Sequence, residues 1–129
     1  MIANVIGPES IYDLKNTARP RARINLHDSP HDPVQKMVYV MRKGDEKPPH
    51  ANARELTQLV LEGEGDLIIY DDMGDEVERY RIGPKTNFCY TLPPNTYHTK
   101  QVHSELMVFF EVMKGPYVAG DVTELAAVQ

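Results

Sequence analysis

Seven stretches of six to nine residues, each rich in β-branched, aromatic or aliphatic side chains, constrain this chain most. They are VQKMVYVM (34–41), ELTQLVLEG (55–63), DLIIYDD (66–72), EVERYRI (76–82), NFCYTL (87–92), YHTKQVH (97–103) and LMVFFEVM (106–113). Their brevity and composition mark strands rather than helices. Turn segments such as DDMGD and GPKTN separate them. Short strands at even spacing predict an all-β fold, a sandwich or barrel of antiparallel strands. A chain of 129 residues suffices for one domain with its own core.

The flanks read differently. Residues 9–17 predict a short helix, with Ser10 as its cap and Asp13 in the first turn. ARPRARINLHDSPHDP follows, where Pro20, Pro30 and Pro33 resist helix and predict an extended arm. The expected organisation is a single domain: helix and proline-rich arm over 1–33, the barrel over 34–118, and a weakly patterned tail over 119–129.

Composition narrows the function. A formal net charge of -5 disfavours a basic nucleic-acid-binding face. Cys89 is the single cysteine, so no internal disulfide is possible and a reducing compartment is expected. MIANVIGPES lacks the basic and apolar segments of a secretion signal. No apolar run is long enough to cross a membrane. The expectation is a cytoplasmic protein.

The chemistry-bearing residues cluster at strand starts. His50 and Asn52 fall on one face by alternation. LPPNTYH (92–98) delivers His98 from a Pro-Pro-Asn turn. Two imidazoles plus a carboxylate are the usual minimum for a Zn or Fe site with open positions. In LMVFFEVM, Glu111 shares a face with Met107, Phe109 and Met113, while Val108, Phe110 and Val112 share the other. Periodicity alone leaves open which face is inward. If the first is, Glu111 is a ligand or a general acid/base. Arg21, Arg23 and Asn25 alternate and suit a phosphate or carboxylate, or else form a solvated edge. His27 is the better site candidate of the two arm histidines, and His31 and His103 read as surface residues. Tyr90 and Tyr97 flank the second histidine segment. Cys89 reads as a buried, inert thiol.

These segments resemble the two cupin motifs. Gly44, five residues, His50, Ala51, Asn52 and then Gly63 follow the frame of the first motif, and Pro93 to His98 that of the second, with Asn95 in place of its glycine. Asparagine is the next-best residue for a left-handed turn. RARINLH, DPVQKM, YDDMGDEVERYRI, LPPNTYH and FFEVMKGPY together resemble the WbuC-type cupins, associated with bacterial surface-polysaccharide gene clusters. The FFEV match favours an inward Glu111.

The resemblance implies a cupin double-stranded β-helix (jelly-roll barrel) with a short N-terminal helix and arm. It implies a divalent transition metal (Fe, Zn, Ni or Mn) held by His50, Asn52, Glu55 and His98, acid/base roles for Glu111 and Tyr97, and substrate contacts from Arg23, Asn25, His27, Gln58 and Tyr90. It also implies a homodimer, while the charge and the short apolar runs lead to the expectation of neither nucleic-acid nor membrane partners. The sequence departs from the pattern at two ligand positions. Asn52 replaces the second histidine, and Leu56 stands where the motif glutamate belongs, with Glu55 one residue away. A β-bulge would be needed to turn Glu55 inward, and Gln58 shares the parity of Leu56. The expected function is a metal-dependent enzyme acting on a sugar or similar polar metabolite by isomerase- or oxygenase-type chemistry. Two alternatives stay open: a metal-free acid/base epimerase or isomerase, and a non-catalytic ligand-binding cupin.

Overall fold

The computed structural model describes residues 5–17 and 22–125. All seven expected strands form, with ends shifted by at most two residues. They are β2 (Val34–Arg42), β4 (Leu56–Glu62), β5 (Gly65–Tyr70), β6 (Glu76–Ile82), β7 (Cys89–Leu92), β8 (Tyr97–Val102) and β9 (Leu106–Lys114). Three short strands add to them: β1 (Arg23–Asn25), β3 (His50–Asn52) and β10 (Val122–Glu124). The single helix among the described residues is α1 (Pro8–Lys15).

Two antiparallel five-stranded sheets face each other, ordered β1-β2-β9-β4-β7 and β10-β3-β8-β5-β6. This is the predicted all-β jelly roll. Of the four edge strands, β1 and β10 come from the arm and the tail. Arg23 sits opposite Tyr39 and Asn25 opposite Met37, so the arm is pinned along β2.

Ser10 is not the helix cap. Gly7 takes that position, and the Ser10 hydroxyl accepts the Gly7 N–H at 3.4 Å. Pro8 can open the helix because its missing N–H would have no partner there.

The two faces of β9 are both buried, which is why periodicity could not rank them. Met107, Phe109, Glu111 and Met113 face the barrel interior with Met41, Leu56, Val60, Leu67, Leu92 and Val102. Val108 packs outward with Val38 and Val40, beneath Leu14 of α1 and Ala22 of the arm. Burying each such aliphatic side chain stabilises the fold by about 1.5–3 kcal/mol. The helix and arm therefore roof one sheet and free its inner face to carry a polar site.

On β4, Leu56, Gln58 and Val60 point inward, and a register shift follows between Val60 and Glu62. Gly63 then turns the chain at φ 87°.

Candidate functional site

A cavity of about 540 Å³ opens into the barrel between the two sheets. Its histidines come from β3 and β8, where His50 and His98 are direct cross-strand partners. Their ring centroids lie 4.5 Å apart. Asn95 adopts the expected left-handed turn at φ 62°, and its N–H bonds the Asn52 carbonyl at 2.7 Å. The Pro-Pro-Asn turn thereby ties β8 to β3 and fixes the histidine pair.

Each ring is held by its own backbone. His50 Nδ1 bonds the Pro48 carbonyl and His98 Nδ1 the Thr96 carbonyl, both at 2.9 Å. A carbonyl only accepts, so the proton sits on Nδ1 and Nε2 keeps its lone pair. Burial pushes His98 down to about 3, with Lys100 and His50 adding to the effect. Burial also lowers His50, helped by Lys47 and Lys100. Both rings are neutral bases at physiological pH.

Across the floor runs a hydrogen-bonded chain of buried polar groups. Gln58, 2 % exposed, donates from Nε2 to Glu111 Oε1 at 2.6 Å and to the Tyr39 hydroxyl at 2.9 Å. The Tyr90 hydroxyl donates to Gln58 Oε1. Lys100, 8 % exposed, donates from Nζ to the Tyr39 hydroxyl at 2.8 Å. Burial, with the Glu111 carboxylate nearby, holds Tyr39 and Tyr90 well above the ordinary tyrosine range, so both keep their protons. Burial lowers Lys100 to about 8.

The expected metal centre is not assembled. His50, Asn52 and His98 line the cavity. Glu55 does not: it is exposed at the start of β4, and no bulge lies between it and Gln58. Leu56 occupies the inward position instead. No group of three His, Cys, Asp or Glu side chains among the described residues is placed to hold a metal. Two imidazoles and a neutral amide lack the anionic ligand that a transition metal site usually has. The residues present do not fit the implied metal.

Other expectations divide. Glu111 is inward and 8 % exposed. Arg23, Asn25, His27 and Gln58 line the cavity. The Lys36 N–H donates to His27 Nδ1 at 3.1 Å. Tyr97 does not line the cavity, although its neighbour His98 on β8 does. Tyr90 stands beneath the floor and reaches the site only through Gln58. Cys89 is exposed on the edge strand β7, contrary to the buried thiol expected. His103 pairs with Asp66 at 3.1 Å, away from the cavity. Arg21 lies outside the described residues.

A family model described as Domain of unknown function (DUF6016) matches residues 9–82, from α1 through β6. The chain belongs to that family. No curated protein sequence matches this DUF6016 chain. Solved structures do. The capsular polysaccharide assembling protein CapF from Staphylococcus aureus superposes with a TM-score of 0.71 at 17 % identity, over 87 % of this chain and 34 % of that one. The DMSP lyase DddQ from Ruegeria pomeroyi gives 0.64 at 15 % identity, over 92 % and 55 %. An oxalate decarboxylase gives 0.63 at 14 % identity, over 81 % and 27 %. The chain thus spans about a third of the length of CapF. These are cupin folds, and the DUF6016 barrel is one too. No helix among its described residues is long and apolar enough to cross a membrane.

Sequence reasoning missed Tyr39, Lys100 and Arg54 of the DUF6016 cavity. A signal existed for the first two. Tyr39 alternates with Met37 and Met41 on β2, and Lys100 alternates with His98 on β8. No local signal pairs Arg54 with Asp121, which meet at 2.6 Å across 67 residues of chain.

Proposed function

We propose that this DUF6016 cupin is a metal-free enzyme that moves protons on a small polar metabolite, as an epimerase or isomerase. The observation that carries the reading is the chain Lys100–Tyr39–Gln58–Glu111, which shares one cavity with the neutral His50–His98 pair. His50, the less depressed of the two rings, uses its free Nε2 to take a proton from a carbon beside a carbonyl, with His98 packed against it. Charge developing on the carbonyl oxygen is stabilised by preset donors on the cavity floor. Return of the proton to another atom or face completes isomerisation or epimerisation.

The resemblance to WbuC-type cupins, and a capsular polysaccharide protein among the structural neighbours, support a sugar derivative as the metabolite. The cavity volume of about 540 Å³ suits a molecule of that size.

The test is hydrogen exchange. Candidate sugars and acidic sugars are incubated with the protein in D2O, and loss of C–H signal is followed by proton NMR. Exchange is expected with the native protein and not with His50→Gln. Saturable binding without exchange on any compound would instead make this a binding module.

The metal-dependent reading retains one support, the Nδ1 bonds to Pro48 and Thr96, since such bonds orient metal-ligating histidines elsewhere. Elemental analysis of untagged protein is expected to show far less than stoichiometric metal. Asn52→His, which supplies a third imidazole, is expected to gain divalent-metal binding. Stoichiometric iron, zinc, nickel or manganese in the native protein would overturn the metal-free reading.

A further inference from the structure

We propose that Tyr39 and Lys100 form a seat for a carboxylate group of the ligand. The proposal rests on the reading that the cavity holds a small polar metabolite, and adds that this metabolite is an acid.

The hydrogen-bond inventory of the floor leads there. A tyrosine hydroxyl has one proton and two lone pairs. Gln58 Nε2 and Lys100 Nζ both donate to Tyr39, at 2.9 and 2.8 Å, and occupy both lone pairs. The orientation of the Gln58 amide is fixed by its neighbours. A carboxylate only accepts, so the Gln58 NH2 must face Glu111, and the Tyr90 proton goes to Gln58 Oε1. The two Gln58 protons are thereby spent on Glu111 and Tyr39. Among the described residues, nothing accepts the proton of Tyr39 itself.

Lys100 is in a similar position. It is 8 % exposed, yet makes no ion pair among the described residues. Its ammonium rests over the rings of Phe109 at 4.7 Å and Tyr39 at 5.3 Å. Buried charges are normally paired, because removing an ion from water costs several kcal/mol. Here the open side of the ammonium is the cavity. One ammonium proton goes to the Tyr39 hydroxyl at 2.8 Å, and its other two, like the Tyr39 proton, have no acceptor among the described residues and face the same space.

The walls agree with an anionic ligand. Arg54 and Asp121 neutralise each other at 2.6 Å. Arg23 and Lys100 then line the cavity with the carboxylate of Glu111, in a chain whose net charge is -5. A carboxylate fits better than a phosphate. Its single charge balances Lys100, whereas a phosphate dianion beside Glu111 meets stronger repulsion.

The experiment is an NMR titration of the full chain, amide shifts being followed with acetate, acetamide, glucuronate, glucose and inorganic phosphate as probes. Acetate and glucuronate are expected to give saturable shifts centred on Tyr39 and Lys100. Acetamide, glucose and phosphate are expected to bind more weakly. Tyr39→Phe is expected to weaken acetate by about tenfold, the value of one lost hydrogen bond to a charged group. Lys100→Met is expected to abolish the preference for acetate over acetamide, with folding checked by circular dichroism. The comparison of acetate with acetamide on the native protein needs no variant. No saturable acetate shift, equal binding of acetamide, or tighter phosphate would overturn the seat. Hydrogen exchange on a neutral sugar with no response to acetate would sink the seat and leave the proton chemistry. Saturable acetate binding with no exchange on any sugar would do the reverse.

Discussion

Gln58 has two amide protons and one oxygen, and the barrel uses all three, on Glu111, Tyr39 and Tyr90. Its truncation strands a buried carboxylate and a buried hydroxyl together. Gln58→Leu is expected to cost about 2–4 kcal/mol. Urea unfolding measures this, and an unchanged midpoint would mean the network adds nothing to stability. Titration of His98 sets a second expectation. Burial holds the folded ring at about 3, against 6.5 for a free imidazole. Between those values the unfolded chain binds a proton that the folded one does not, so stability rises with pH there. The contribution is complete above pH 6.5 and is lost as pH falls toward about 3. The slope is at most about 1.4 kcal/mol per pH unit. His98→Asn is expected to flatten this acid limb, and denaturant curves across the window would show whether it does.

Strands β2 and β9 show how far an element can be read from its own residues. The sequence placed both correctly, because β-branched and aromatic runs bounded by turns have few other uses. It left the faces of β9 undecided, because both are buried, one in the barrel and one beneath α1 and Ala22. The short strands β3 and β10 carry no periodic signal at three residues each. They exist because partners on other strands satisfy their backbone groups. The turn between β4 and β5 depends on Gly63. Its φ of 87° disfavours any side chain, and a Cβ there would collide with the Leu106 carbonyl and with Met107 on β9. Gly63→Ala is expected to cost about 2 kcal/mol or more, from backbone strain and the displaced strand together. A thermal melt within a degree or so of the native protein would show that β9 yields at no cost.

At the scale of the molecule, Arg54 joins the end of the chain to the barrel. Its guanidinium bonds Asp121 at 2.6 Å and the carbonyls of Lys114 and Pro116 at 3.0 and 3.3 Å, and lies 5.8 Å from the Tyr117 ring centroid. Both charges of the pair are largely buried, so removing one leaves the other unpaired at a cost of about 3 kcal/mol. Arg54→Ala is expected to raise amide exchange across 115–125 first, while β5 and β8 keep their protection. Uniform exchange across the whole barrel would show that the clamp supports the fold rather than the cavity wall. The sequence by itself determined the seven longer strands, the shared face of His50 and Asn52, and the left-handed turn at Asn95. Each of these follows from neighbours within a few residues, where period, turn chemistry and backbone preference act. Only the tertiary structure decided that Glu55 is outside, that Leu56 takes the inward position, and that Tyr39, Gln58, Lys100 and Glu111 share one floor. Those facts depend on which strands pair and in what register, and that is set by burial summed over the whole barrel, not by any local segment.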